Sequence, residues 1–512
     1  MQEKKRKPRV NSIARMVFVG ISVLFQVGWL LVRILALNEY SEWIASITGI
    51  LTVVVVLRLY SKDTNAAMKM PWIMLILVFP VMGLSLYLLF EVLGDPVGTG
   101  KRLKVVRGEL KEKVNQNPAV LERMGEQDLA AANQSGYLWN NVGCPVYENT
   151  RTKYYAQAVD AFEAMKEDLE KAERFIFMEY FILENGESFR EIQQILERKA
   201  KQGVEVRLMY DDIGSIGHTN MAFAKQLNAA GIHCVPFNPA LPVLNLFMNH
   251  RDHRKITVID GKVGFTGGYN LANEYFGRTK PYGHWKDTGI RLEGEAVRSL
   301  TAAFLELWNV VTKSKEDCGK YLDVCHSVEA KGFVQPFTDD PLSEERVAEN
   351  VYLNLINHAK KTLYFVTPYL IITDEMGRAL RLAAKRGVDV RIITPGIPDK
   401  KTVFAMTRSY YAGLVSQGVR IYEYTPGFCH AKQCLCDGEM ASIGTSNLDY
   451  RSLYHHFENN VLLYDCDAVR EMAADFEELF PMCEEVTEKY CSGRGAVLRV
   501  WQCMLRLFAP LV

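Results

Sequence analysis

The hydrophobic pattern divides the chain into an apolar N-terminal part and a longer part in which strand and helix periods alternate. Three apolar segments lie near the start, at approximately Met16–Leu37, Trp43–Leu57 and Pro71–Phe90. The first and third approach the roughly 20 residues that a membrane-spanning helix requires. A cleaved secretory signal fits less well, because the first segment is too long and two more follow it. We therefore predict a permanent membrane anchor.

The basic residues leave two membrane topologies open. Lys and Arg before the first segment place the N-terminus in the cytosol, and the basic run from Lys101 to Lys113 also favours the cytosol. Three full spans cannot satisfy both ends, and Pro80 with Gly83 makes the third segment a candidate for an irregular or re-entrant structure. The sequence thus predicts a multi-pass protein of the cell membrane with two or three full spans. The large domain could lie on either face of the membrane.

The rest of the chain has an α/β pattern. Thr152–Glu173 has a helical period, and Arg174–Leu183 is a continuous apolar run typical of a buried strand. Ser188–Gln202 is an amphipathic helix that ends at Gly203. The next strand, Val204–Tyr210, should pair in parallel with the apolar run, because a strand–helix–strand order implies a right-handed crossover.

The same order of elements returns later in the chain. Lys361–Val366, Glu375–Lys385 and Val388–Thr394 have the patterns of a strand, a helix and a strand. We therefore predict an α/β fold of two pseudo-symmetric halves, each with a mixed sheet flanked by helices, after an N-terminal transmembrane helical module. The predicted regions are a membrane-anchoring region, a charged helical connector, a first half and a second half, at residues 1–100, 101–135, 136–314 and 335–512.

The second half ends in an amphipathic segment, Val497–Leu507. Apolar side chains, Trp501 and Met504 among them, alternate there with Arg499 and Arg506. This pattern predicts a helix that either docks on the protein core or lies in a lipid surface, and the sequence leaves both interpretations open.

One motif occurs twice. Its pattern is His-x-Lys, four residues, Asp, six residues and Gly-x-x-Asn, repeated at a constant offset of 177 residues between His253 and His430. A single copy is a weak signal, whereas two copies with the same downstream residues indicate an internal duplication. The two copies consist of His253, Lys255, Asp260, Gly267 and Asn270, and of His430, Lys432, Asp437, Gly444 and Asn447.

These residue types suit a phosphodiester substrate. A His and a Lys two positions apart on a strand project from the same face, so two facing halves would bring both pairs to one pocket. The lysines would supply positive charge, and Asn270 and Asn447 neutral amide donors. One imidazole can attack phosphorus while the other donates and later accepts a proton.

Four carboxylates accompany the motifs. Each imidazole needs a carboxylate to determine its tautomer, and Asp287 and Glu458 follow the two motifs at comparable distances. Asp260 and Asp437 belong to the catalytic motifs themselves. Because each precedes a glycine between two strand-like runs, we expect them to brace hairpin turns rather than to contact substrate.

Composition narrows the choice of partners. The formal net charge is zero, which gives a nucleic-acid partner no support. The 11 cysteines are scattered without the paired spacing of a zinc site, and we interpret them as small buried apolar residues. The sequence therefore predicts no cofactor and no metal, with the membrane as a partner.

The chain resembles the bacterial cardiolipin synthases of the phospholipase D superfamily. The resemblance runs from about residue 45 to the C-terminus. Among the stretches that carry it are RFIFMEYFIL, GVEVRLMYDD, NHRDHRKITVIDGKVGFTGGYNLANEY, GTSNLDYRS and FENNV.

The resemblance implies a transphosphatidylation. One phosphatidylglycerol would supply a phosphatidyl group to a histidine, and a second would accept it, giving cardiolipin and glycerol. In the superfamily the histidine of the first motif is commonly the nucleophile, which here would be His253, with His430 as the acid and base.

Other functions remain compatible with the motifs. The same pocket could serve a lipid hydrolase, a phosphatidyltransferase with another alcohol acceptor, or a nuclease, although the membrane segments weigh against a nuclease. A non-enzymatic lipid-binding scaffold is a further alternative. The intact His, Lys and Asn of both copies argue against that scaffold.

Overall fold

The computed structural model describes residues 41–88, 99–220, 222–239, 250–491 and 496–511, together with residues 24, 28 and 31. Within these residues the strands are, in chain order, β1 (Thr150–Tyr155), β2 (Phe175–Tyr180), β3 (Glu205–Asp211), β4 (His233–Phe237), β5 (Arg251–Asp252), β6 (Lys255–Ile259), β7 (Val263–Gly267), β8 (His284–Lys286), β9 (Gly289–Gly294), β10 (Phe333–Asp339), β11 (Thr362–Val366), β12 (Asp389–Pro395), β13 (Arg420–Tyr424), β14 (Gly427–Cys429), β15 (Gln433–Cys436), β16 (Met440–Gly444), β17 (His456–Tyr464) and β18 (Cys483–Glu485).

The α-helices of the same residues frame these strands. In chain order they are α1 (Ser41–Ser61), α2 (Ala66–Val78), α3 (Pro80–Tyr87), α4 (Thr99–Lys113), α5 (Pro118–Gln127), α6 (Leu129–Tyr137), α7 (Ala158–Glu170), α8 (Glu187–Lys201), α9 (Phe223–Ala229), α10 (Val297–Thr312), α11 (Gly319–Leu322), α12 (Val347–His358), α13 (Asp374–Lys385), α14 (Lys401–Val415), α15 (Tyr450–Tyr454), α16 (Asp467–Leu479), α17 (Thr487–Cys491) and α18 (Ala496–Leu507).

Two mixed sheets dominate the described part of the chain. The strand order is β1-β9-β7-β6-β2-β3-β4 in the first and β10-β17-β16-β15-β11-β12-β13-β18 in the second. The seven strands of the first sheet correspond one for one to the first seven of the second, as an internal duplication requires. The predicted α/β fold with two halves and mixed sheets is confirmed.

The central strands form as their sequence patterns predict. Every residue of β2 is buried, and β2 pairs in parallel with β3. Phe189 and Ile192, on the apolar face of α8, share one core with Ile176 of β2. The helix therefore covers the sheet between its two parallel strands.

The two Asp-Gly hairpins are also present. β6 and β7 pair antiparallel, as do β15 and β16. The turn residues Asp260 and Gly261 have φ values of 55° and 69°, and Asp437 and Gly438 have 53° and 71°. Positive φ at both central positions is the conformation that a two-residue hairpin turn requires, and Asp followed by Gly tolerates it.

The predicted helix at Thr152–Glu173 is wrong at its start. Residues Thr150–Tyr155 form the edge strand β1, antiparallel to β9, and the helix begins only at Ala158. Threonine and tyrosine favour strands, and alternate side chains of β1 are buried. The pairing partner lies far along the chain, so the helical period of the following residues concealed the strand.

The predicted apolar N-terminal segments are only partly described. Met16–Leu37 lies outside the described residues except for residues 24, 28 and 31. Helix α1 contains the second segment, and the third is divided between α2 and α3 at Phe79, next to Pro80. Proline cannot continue a helix without losing a backbone hydrogen bond. Over residues 41–88 and the other described ranges, no helix combines the length and the apolarity needed to cross a membrane.

The charged segment after residue 99 folds into α4, α5 and α6. Helix α4 packs against α10 and contributes Leu103 and Leu110 to the core. The Arg107 side chain lies 2.8 Å from Glu306 and 2.9 Å from Asp340. One core cluster contains Leu103, Leu110 and side chains from both sheets, so the two halves share a packed interface.

Candidate active site

Two short parallel strand pairs join the halves at the motifs. β5 of the first half pairs with β17 of the second, and β14 of the second half pairs with β8 of the first. The backbone N–H of His253 donates to the carbonyl of Phe457 at 2.9 Å, and that of His430 to the carbonyl of Lys286 at 2.7 Å. Each motif histidine is thus positioned by the backbone of the opposite half.

The same exchange supplies a carboxylate to each imidazole. His253 Nδ1 lies 2.9 Å from Glu458 Oε1, and His430 Nδ1 lies 2.7 Å from Asp287 Oδ2. Both carboxyl groups are fully buried. A carboxylate only accepts hydrogen bonds, so each Nδ1 carries the proton and each Nε2 keeps a lone pair. The structure therefore brings together four of the residues selected from the sequence.

Lys255 and Lys432 are buried beside these pairs. Each ammonium group donates to the backbone carbonyl of the histidine two positions earlier, and Lys432 Nζ also lies 2.8 Å from His430 Nδ1. Burial lowers the pKa of Lys255 to about 7 and that of Lys432 to about 8, against the opposing attraction of Glu458 and Asp287. A bound anion would raise both pKa values again, because it favours the charged forms.

The imidazoles are biased toward their neutral forms. Burial, with the charges of Lys255 and Lys432, lowers the pKa of His253 well below its ordinary value. Burial and Lys432 lower the pKa of His430 to about 4, although Asp287 acts in the opposite direction. A neutral imidazole with a free Nε2 is a nucleophile, and an anion beside the second imidazole would favour its protonation.

Both motif histidines line one cavity of about 640 Å³. This volume lies within the range of small-molecule sites, roughly 300–1,000 Å³. Polar and aromatic side chains from both halves complete the wall, including Arg251, Asn270, Asn447, Phe181, Trp285 and Phe428.

The two motif asparagines reach this cavity in different hydrogen-bonding states. Asn270 accepts from the N–H of Ile182 at 3.0 Å and donates to the Tyr275 hydroxyl at 2.8 Å. The buried Oδ1 of Asn447 has no hydrogen-bond partner among the described residues. Asn270 therefore also positions Tyr275, and Asn447 keeps an acceptor for a ligand or for water.

Asp260 and Asp437 stabilise the hairpin turns of the two motifs. The Asp260 carboxylate accepts the N–H groups of residues 173, 174 and 175 at 2.8–2.9 Å, and Asp437 those of residues 360, 361 and 362 at 2.7–2.8 Å. Each carboxylate thereby ties a hairpin turn to the start of the neighbouring central strand. Within the described part of the chain, neither residue lines the cavity.

The profile of the family described as "Cardiolipin synthase, PLD-like domain" matches residues 165–308 and 352–480, more than half of the chain. The chain belongs to this family. A second profile, described as "Phospholipase D-nuclease N-terminal", matches residues 50–91. Membership confirms the predicted family and the predicted class of enzyme, a phosphatidyltransferase of the phospholipase D superfamily.

Individual relatives match most of the chain, and a solved structure shares its fold. The chain is 34% identical over 483 residues to the cardiolipin synthase of Halalkalibacterium halodurans, with 92% of this chain and 95% of the relative covered. It is 41% identical over 458 residues to an uncharacterized protein of Streptococcus mutans, with 89% and 99% covered. The crystal structure of phosphatidylserine synthase from Haemophilus influenzae shares the fold with a TM-score of 0.55, at 15% identity, over 74% of this chain and 97% of that one.

Among the site residues that the sequence analysis did not select, two flank the motif histidines. The His456 ring lies 5.3 Å from that of His253, and the Trp285 ring lies 5.6 Å from that of His430. His456 and Trp285 each precede the paired carboxylate by two positions. Side chains two apart on a strand share a face, and that rule applied to Glu458 and Asp287 would have found both.

One group of side chains in the described chain offers metal ligands. Ligand atoms of His253, His456 and Glu458 lie within 4.8 Å of one another. Two imidazole nitrogens and a carboxylate oxygen form a donor set that suits zinc. The pairing of β5 with β17 brings His253 to His456 and Glu458, so residue spacing alone did not predict the complete group. The absence of a metal in the working enzyme stays a prediction.

Proposed function

We propose that the chain condenses two phosphatidylglycerol molecules into cardiolipin and glycerol in the cavity between its two halves. The observation that carries the proposal is the pair of histidine–carboxylate contacts, His253 with Glu458 and His430 with Asp287, facing one cavity. Family membership supplies the substrate class.

The first step forms a phosphohistidine. The Nε2 lone pair of His253 attacks the phosphorus of one phosphatidylglycerol, an N–P bond forms, and the P–O bond to the headgroup glycerol breaks. His430, protonated at Nε2 beside the anionic phosphodiester, gives its proton to the departing glycerol oxygen. Glycerol leaves and the phosphatidyl group stays on His253.

The second step reverses these roles with a new alcohol. A headgroup hydroxyl of the second phosphatidylglycerol attacks phosphorus and gives its proton to His430 Nε2. The N–P bond breaks and the new P–O bond completes cardiolipin. His253 returns to its neutral form and His430 to its protonated form, with one glycerol released and no water consumed.

The other motif residues bind charge and position groups in this scheme. Lys255 and Lys432 neutralise the phosphoryl oxygens as the transition state develops, in a buried site where such interactions are strong. Asn270 and Asn447 orient the headgroups from the cavity wall. Asp287 and Glu458 select the reactive tautomers, and Asp260 and Asp437 keep the motif hairpins in place.

We further propose that the chain is a multi-pass protein of the cell membrane. Residues 1–100 would anchor it, residues 101–135 would connect the anchor to the enzyme, and residues 136–314 and 335–512 would form the two halves. Exposed apolar side chains on α1 and α2 support the anchor, among them Ile50, Leu57, Leu77 and Val78. Carbonate extraction of membranes tests the anchor, and a reporter fused after Lys113 tests its orientation.

The decisive experiment supplies phosphatidylglycerol as the sole lipid to the purified protein. We expect glycerol and a four-chain lipid in equal amounts by mass spectrometry. Phosphatidic acid without cardiolipin would instead identify water as the acceptor and make the chain a hydrolase. Added alcohols that appear in the product would identify a transferase with a different acceptor.

A further inference from the structure

The C-terminal helix α18 is attached to the protein through one side. Leu505 and Ala509 are buried in a small cluster with Met406 of α14 and Tyr450 of α15. The Arg506 guanidinium donates to the Ser409 carbonyl and lies 4.3 Å from the centre of the Tyr410 ring. These contacts determine which side of the helix faces away from the protein.

The opposite side carries an exposed apolar stripe. Its positions repeat at intervals of three and four residues, the period of one helix face. Their exposed fractions run from 40% to 57%, whereas the anchoring Leu505 is 7% exposed. The stripe consists of Val500, Trp501, Met504, Leu507 and Phe508. A contiguous apolar surface of this kind marks an interaction site rather than scattered exposure.

The cluster that anchors α18 also contacts the start of the N-terminal apolar helices. Ala67 and Met68, at the start of α2, pack into the same cluster that anchors Leu505 and Ala509. The side chain of Asn65, which caps α2, donates to Glu375 of α13 at 2.9 Å. Helices α1 and α2 also expose apolar side chains, among them Leu57 and Met70. The first turn of α2 and the buried side of α18 therefore share one contact.

The cluster beneath α18 also borders the catalytic cavity. Ile371 belongs to the cluster beneath α18 and lines the cavity, and Val403 of α14 does both as well. Lys400 lines the cavity at the start of α14, and Lys401 beside it is exposed. A negatively charged lipid surface at this level would be attracted by these lysines.

We propose that the stripe of α18 inserts into the boundary between headgroups and acyl chains of a phospholipid bilayer and holds the cavity at the lipid surface. Trp501 suits this boundary because its ring is apolar and its N–H is polar. A bilayer fits better than a second copy of the chain, since α2 contacts the cluster that anchors α18 and both α1 and α2 expose apolar residues of their own. The proposal rests on the proposed lipid substrate and gives that substrate its route of access.

A charge substitution with two substrates tests the stripe. The full chain with Trp501→Glu and Met504→Glu is reconstituted in phosphatidylcholine vesicles. Dioleoyl phosphatidylglycerol is supplied within the vesicles, or dihexanoyl phosphatidylglycerol as dissolved monomers. We expect at least a tenfold lower rate with the bilayer substrate and a rate within twofold of wild type with the dissolved one. Leu129→Glu, at another exposed apolar residue, should leave both rates within twofold.

Unchanged rates with both substrates would overturn the proposal, as would equal losses in a variant with a normal unfolding transition. If the double variant does not fold, quenching of tryptophan fluorescence by brominated phosphatidylcholine decides instead. The quenched intensity should fall in Trp501→Phe relative to wild type. Equal quenching in both, or cross-linking of two copies through the stripe, would contradict the lipid contact. A wild type that makes no cardiolipin from either substrate would refute the proposed function alone, since the quenching reads lipid contact directly.

Discussion

His253 Nδ1 in the first half lies 2.9 Å from Glu458 Oε1 in the second, 205 positions further along the chain. His430 and Asp287 repeat the relationship in the opposite direction across 143 positions. Each half therefore completes the other half's histidine, and neither half by itself contains a finished acid–base pair.

Removing the charge of one crossing carboxylate should impair the chemistry more than the fold. In Glu458→Gln the amide can donate to Nδ1, which places the imidazole proton on Nε2 and removes the nucleophile. We expect kcat for cardiolipin formation to fall by about 10²–10⁴. The control is Glu423→Gln, which changes a buried carboxylate paired with Arg408 instead of a histidine. A loss in Glu423→Gln as large as that in Glu458→Gln would contradict the tautomer role.

The roles of the two histidines should become distinguishable with a leaving group that needs no proton. With a phosphatidyl p-nitrophenyl ester, His430→Ala should still release a stoichiometric burst of p-nitrophenolate, because that anion leaves unprotonated. His253→Ala should release none, because it lacks the attacking Nε2. Rapid-mixing absorbance at 400 nm on the order of milliseconds to seconds, together with mapping of the phosphorylated residue, provides the measurement. The reverse pattern would exchange the two roles.

The pH dependence of kcat/KM should reflect the protonation of Lys255 and Lys432. The pKa values of Lys255 and Lys432 lie at about 7 and about 8, so raising the pH through this range removes positive charge from the free enzyme. We expect kcat/KM for the dissolved substrate to fall over this range. The fall in kcat should come at higher pH, because the bound phosphodiester raises the pKa of both lysines.

A matched substitution checks which lysine causes the fall in kcat/KM with rising pH. Arginine stays protonated throughout, so Lys255→Arg should shift the fall in kcat/KM toward the pKa of Lys432, whatever its effect on the absolute rate. If kcat/KM of the variant fell over the same pH range as in wild type, Lys255 would not be responsible for the fall.

Asp437 and Asp260 should matter for stability. Asp437→Ala leaves three backbone N–H groups without their acceptor and places alanine at a φ of 53°. We expect the free energy of unfolding to fall by about 2–4 kcal/mol, measured by urea unfolding in detergent. Asp437→Asn, which tolerates positive φ and keeps one acceptor oxygen, should lose less. A large loss of kcat at unchanged stability would instead place Asp437 in the chemistry.

Local patterns predicted much of the fold and most of the site residue types. The Asp-Gly turns at Asp260 and Asp437, the parallel pair β2 and β3, and the repeat of motif residues were all readable, because turn chemistry and side-chain period act over a few neighbouring residues. The predicted helix start at Thr152 was wrong because residues 150–155 form β1, whose pairing partner β9 lies far along the chain. His456 lies two positions before Glu458 on β17, so the strand period places the two side chains on one face, whereas its position beside His253 depends on the pairing of β5 with β17.

The family, the duplicated His-Lys-Asp-Asn motif and the α/β order of the elements all follow from the amino-acid sequence. The packing of the folded chain determines that the carboxylates cross between halves, that His456 and Trp285 flank the two imidazoles, and that α18 turns its apolar stripe outward. Local sequence limits which residues can form a strand or a helix face. Which faces meet depends on the packing of the whole chain, where contacts join residues hundreds of positions apart.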